Sequence, residues 1–161
     1  MKLRICIAVL SQAVAQISWG QTNAVSTPVI AENAALDPGT LAVIGATAGQ
    51  ETALRSQIQL MHPDVLPLRV LFVAHWKYLD AARAFQLQVP KGFGSLMFTH
   101  LASRTVYIDN DRYMGTDWLG HWIAHELGHL ATNSTKEGDA EKAARKYRRR
   151  LKGCTQSRRT L

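Results

Sequence analysis

Apolar positions fall into short patterned segments separated by turn formers. From Gln50 onward Ala53, Leu54, Ile58, Leu60 and Met61 recur at helical spacing. His62-Pro63-Asp64 ends that run, because the residue before a proline avoids helical backbone. Leu68–Val73 is nearly all apolar and predicts a buried strand. Helical spacing returns over Trp76–Leu87 through Tyr78, Leu79, Ala82 and Phe85, and the Pro- and Gly-containing stretch Val89–Gly94 is a turn. Leu96–Thr99 and Thr105–Ile108 are two short strands joined by His100–Arg104, a hairpin pattern. After Asp109-Asn110-Asp111, read as a turn, come a long helix over roughly 117–132 and a second from about 135 to 152. Ahead of all this, residues 21–46 are rich in Ala, Thr, Ser and Asn, with Pro28 and Asp37-Pro38-Gly39, and predict a linker with at most one weak strand. The fold class expected is α+β, a small β-sheet packed on the long helix and on the C-terminal helix that follows it.

The first twenty residues follow a different pattern. Lys2 and Arg4 precede the apolar run Ile5–Leu10, and two small-x-small sites follow, Ala13-Val14-Ala15 and Ser18-Trp19-Gly20. This is the layout of a secretory signal peptide. Cleavage after Ala15 would leave an apolar core of about six residues, below the usual ~7–15, so cleavage after Gly20 is favoured. The chain then divides into a signal peptide (1–20), a linker (21–46), a folded domain (47–153) and a basic tail (154–161), and a secreted or periplasmic location is expected. Removing the signal removes Cys6 and leaves Cys154 alone, so the mature core would have no internal disulfide.

Composition narrows the class without naming a chemistry. At 161 residues, 47% hydrophobic and 19% charged, the chain is too apolar for disorder and long enough for one core. No apolar run in the mature chain reaches membrane-spanning length. The net charge of +7 is unevenly spread. From Lys142 onward there are nine Lys and Arg and no acid, whereas residues 21–141 hold eight against twelve acids, or −4. Cations near a helix C-terminus oppose the helix dipole, which makes a solvated helix end the plain reading. The alternative is a patch for an anionic surface. Nucleic acid is disfavoured as a partner, since Tyr147 is the one aromatic interleaved with the charges.

The chemistry concentrates at His125-Glu126-Leu127-Gly128-His129. Histidines four apart on a helix lie one turn above each other, so both rings can reach one metal ion, and the adjacent Glu can take a proton from water on that ion. Leu119, Ile123, Leu127 and Leu130 form a separate apolar arc, leaving the histidines on a polar face. His121 extends the series, but it lies about 12 Å along the axis from His129, too far to share an ion, and reads as a rim or supporting residue. A catalytic zinc site needs a third protein ligand. Downstream candidates are Glu137, Glu141 and Asp139. On the second helix Glu137 and Glu141 share a face with Ala140, Ala144 and Leu151, while Asp139 points away. Glu137, on the first turn, is the favoured ligand, with Glu141 suited to accept a proton from a ligating His. Ser134-x-x-Glu137 also reads as a capping box, in which Glu137 would satisfy a backbone amide instead.

His125-Glu126-Leu127-Gly128-His129 followed by Glu137-Gly138-Asp139-Ala140-Glu141 resembles the gluzincin class of zincin metallopeptidases. The resemblance implies a zincin-like catalytic domain with one zinc ion on His125, His129 and Glu137. It also implies Glu126 as general base towards the zinc-bound water, and Glu141 behind the ligands. The interval from His129 to Glu137 is short for the class. The later His of the metzincin pattern is absent, Thr132 and Thr135 standing in its places. In zincins the strand before the active helix offers an edge to an extended substrate, and Thr105–Ile108 is the similar segment here. Tyr113, His100 and Tyr147 are open candidates for an oxyanion donor. The expected function is therefore zinc-dependent hydrolysis of peptide bonds in a peptide or protein substrate. The alternatives are a non-catalytic module whose zinc staples its helices, and a cationic adaptor for an anionic envelope surface.

Overall fold

A computed structural model of the chain describes residues 36–87 and 96–157, the last four of these by their backbone alone. The signal peptide, most of the linker, the turn at 89–94, and Cys154 with the side chains of the tail lie outside the described residues. Four strands form one sheet in the order β1-β2-β4-β3. β1 (Leu41–Ile44) pairs parallel with β2 (Leu68–Val73), and β2 pairs parallel with β4 (Thr105–Asp109). β3 (Met97–His100) closes the order as the antiparallel hairpin partner of β4.

Strand alternation divides the core in two. Leu68, Val70, Phe72, Val106 and Ile108 face one side, packed with α1 (Ala48–Met61) and α3 (Thr116–Thr132) and, through Tyr147, with α4 (Glu137–Ser157). Leu71, Tyr107 and Phe98 face the other, against Tyr78, Ala81 and Ala82 of α2 (His75–Ala84). The described fold is thus α+β, a four-stranded mixed sheet with four α-helices. Helices on both faces account for the burial of β2 and β4 along their lengths.

Two expectations need correction. Thr105–Ile108 is not an edge: β4 lies between β2 and β3, with partners on both sides. Its parallel pairing with β2 occupies one flank and the hairpin return fills the other, so β3 is the outer strand. The helix expected over 76–87 stops at Ala84, because Gln86 turns into the left-handed region (φ 57°). Within the stretch read as a linker with at most one weak strand, Leu41–Ile44 is a strand, β1, which extends the sheet along β2.

Candidate metal centre

Helix α3 carries the HExxH segment on its last three turns. Leu119, Ile123, Leu127 and Leu130 bury the apolar arc in the core. The polar arc is covered too: His125 and His129 have side chains only 12% and 11% exposed. Helix α4 supplies the cover. After α3, Asn133 adopts the left-handed conformation (φ 46°) and the Ser134 amide donates to the His129 carbonyl. The chain reverses within four residues, and α4 returns along α3. This tight turn lets a short interval bring Glu137 back to the histidines.

Close approach of the two helices depends on Gly128. A Cβ there would lie 2.2 Å from the Ala140 carbonyl oxygen. Any side chain at position 128 would therefore hold α4 away.

Glu137 reaches both histidines from this position. Its Oε2 lies 2.9 Å from His125 Nε2 and its Oε1 lies 3.7 Å from His129 Nε2. One donor atom from each of the three residues falls within 4.8 Å of the others, the one such group of His, Cys, Asp or Glu among the described residues. Ligands about 2.0–2.1 Å from a tetrahedral zinc are separated by roughly 3.4 Å, so two nitrogens and a carboxylate gathered this closely are of the donor types that could close on such an ion. His129 Nδ1 lies 2.8 Å from the Ser134 carbonyl oxygen, which can only accept. That contact puts the ring proton on Nδ1 and leaves the Nε2 lone pair facing the cluster. His125 Nδ1 lies 3.5 Å from Glu141 Oε2. Arg148 donates from Nη1 to both Glu141 oxygens, at 2.7 and 2.9 Å, and this bond is the main reason the Glu141 carboxyl is held below its ordinary pKa.

Glu126 is buried beside the cluster, close enough for the charges of His129 and Glu137 to act on it. It is 5% exposed, and its Oε2 accepts a 2.7 Å hydrogen bond from the Thr99 hydroxyl on β3. Burial pushes its pKa up to about 7, opposed by the Thr99 hydrogen bond and by His129, while Glu137 adds to the rise. A carboxyl poised there can hold or release a proton near neutral pH.

Glu137 makes no capping box with Ser134. The Ser134 amide and carbonyl both go to His129, and its hydroxyl bonds the exposed Asp139 carboxylate at 3.0 Å. Nor does Glu137 lie on a buried face: its side chain is 79% exposed, leaving that flank of the cluster open. Glu141 sits behind His125, and His121 stays on the rim with its ring against Trp122. The oxyanion candidates are dispersed. His100 belongs to the opposite face of the sheet, stacked on Phe85, while Tyr113 packs between Phe72 and Trp118. Tyr147 is buried in the core, and burial raises its pKa. Asp109-Asn110-Asp111, read as a turn, instead ends β4 with Asp109 and opens a short 3-10 helix over Asn110–Arg112; Asp109 is fully buried and 2.6 Å from His75 Nδ1.

Thr99, Ser134 and Arg148 were not legible as site residues. Thr99 needs the β3–α3 packing and Ser134 acts through its backbone. Arg148 was hidden in a run of cations, although its seven-residue spacing from Glu141 puts both on one helix face. No protein-family model, curated protein or solved structure matches this chain.

Proposed function

We propose that the protein is a zinc-dependent metallopeptidase with a zincin-like, gluzincin-type centre. His125, His129 and Glu137 would hold the ion and Glu126 would serve as general base. One observation carries the reading: two imidazole nitrogens and a carboxylate gathered within 4.8 Å on adjoining helices, beside a buried glutamate. Bound there, zinc would supply a Lewis acid that lowers the pKa of water and polarises a carbonyl. The remaining steps fall to the chain. Glu126 takes the proton of the attacking water and passes it to the leaving amine as the peptide bond breaks. Thr99 keeps that carboxyl aimed during both transfers. The outer strand β3 offers backbone groups to an extended peptide, which would then run past Thr99 and the buried glutamate. The N-terminal pattern adds export, to a secreted or periplasmic site of action.

The test is hydrolysis of denatured casein by the zinc-loaded full chain. Wild type should cleave it, a chelator should stop cleavage, and Glu126→Gln should reduce the rate by about 10²–10⁴-fold while retaining zinc. Equal cleavage by wild type and Glu126→Gln, or none by a zinc-loaded wild type, would count against catalysis and leave the ion as a helix staple.

A second reading concerns the basic helix. Lys142, Arg145, Lys146, Arg149 and Lys152 form an exposed stripe along α4, and among the described residues only Arg145 has an acidic partner within 4 Å, Glu141 at 3.7 Å. Such a stripe suits attachment to an anionic surface. Binding to phosphatidylglycerol but not phosphatidylcholine vesicles should fall with salt and vanish when Lys142, Lys146 and Arg149 become Glu. Salt-insensitive binding would rule it out.

A further inference from the structure

Arg148 ties α4 to α3 near the level of the histidines while also gripping one of the residues behind them. Its Nη1 donates to both carboxylate oxygens of Glu141, and its Nε donates to the His121 carbonyl at 3.2 Å. Its side chain is 16% exposed and its bonds to Glu141 are part-buried, while the bond to the His121 carbonyl is exposed. The two histidines are held differently. His129 has a fixed backbone acceptor, the Ser134 carbonyl, whereas His125 Nδ1 faces only the Glu141 carboxylate. That carboxylate ends a flexible side chain, 37% exposed, which without a clamp would sample several rotamers. Arg145 also approaches it, but at 3.7 Å and 73% exposed it gives little restraint.

We infer that Arg148 is a positioning residue for the metal centre, orienting the His125 ring through Glu141 and so setting metal affinity. The inference rests on the metal-centre reading above. The planar guanidinium suits the task because it can engage a carboxylate and a carbonyl together. Lysine at the same place keeps the charge but, as a point donor on a flexible stem, cannot hold both partners in fixed directions.

Cobalt(II) titration of the metal-free full chain tests this, with the visible d–d spectrum reporting ligand geometry and the titration giving affinity. Wild type should bind one equivalent with a tetrahedral spectrum. Arg148→Ala should weaken binding by roughly 10- to 100-fold and alter the spectrum, with Arg148→Lys intermediate and Arg145→Ala unchanged. In a Glu141→Gln background, Arg148→Ala should weaken binding little further, because the relay is already cut. A residue that merely staples the fold would weaken binding equally in both backgrounds, and that result overturns the inference, as would wild-type affinity in Arg148→Ala. If Arg148→Ala does not fold, the Arg148→Lys and Glu141→Gln variants carry the same comparison, and wild-type affinity in both is the contrary result. Absence of cobalt binding by wild type would instead sink the metal-centre reading itself.

Discussion

Glu126 combines two demands that pull against each other. As the proposed general base it would have to meet a reacting bond away from bulk water, yet burial favours its neutral form. The pKa raised to about 7 gives a check that needs no substrate. A carboxyl raised above its unfolded value favours the fold fully below about pH 4.5, and that contribution is lost as pH rises through about 7. With metal removed, wild type should therefore lose about 3 kcal/mol relative to Glu126→Gln between those limits. Urea unfolding of both proteins at several pH values reads the difference, and parallel curves would show that Glu126 is not buried as described. That His125 and His129 lie side by side was readable from spacing, because a helix turns their four-residue interval into proximity. Thr99 was not, since no local pattern tells which strand meets the glutamate.

The two C-terminal helices make the site by approaching closely, and Gly128 sets the approach. Alanine there gains up to about 1 kcal/mol of helix propensity. Against that stands its Cβ, 2.2 Å from a backbone carbonyl oxygen that cannot rotate aside. The clash should win, costing roughly 1–3 kcal/mol. It should also move Glu137 outward, so Gly128→Ala is expected to lower both the melting temperature and zinc affinity. An unchanged affinity would mean that α4 does not set the position of Glu137. Most elements could be read from hydrophobic period and turn residues, and α3 and the β3–β4 hairpin lie close to where that period puts them. Strand order could not. Whether β3 or β4 takes the outer position depends on parallel pairing with β2, which is a contact between residues more than thirty apart in sequence.

On one face of the sheet, α3 and α4 bring a single small cluster together. If zinc binds the fold and not the unfolded chain, it stabilises the protein by about 2.7 kcal/mol at a hundredfold excess over its Kd. Wild type should thus melt higher with zinc, whereas Glu137→Ala should melt at one temperature with or without it. The basic stripe of α4 is separate from this linkage, and its salt-dependent binding should survive a chelator. How the charge divides between α4 and the remainder was legible from composition. The exposure of the stripe and the inward use of Arg148 were not, because neighbouring cations on one helix face different surroundings.

The decisive experiment is zinc analysis of the purified full chain beside its Glu137→Ala variant. One equivalent per wild-type chain, with a large loss in the variant, is the result this account predicts. A metal-free wild type under zinc-replete conditions, or equal occupancy in both proteins, would contradict it.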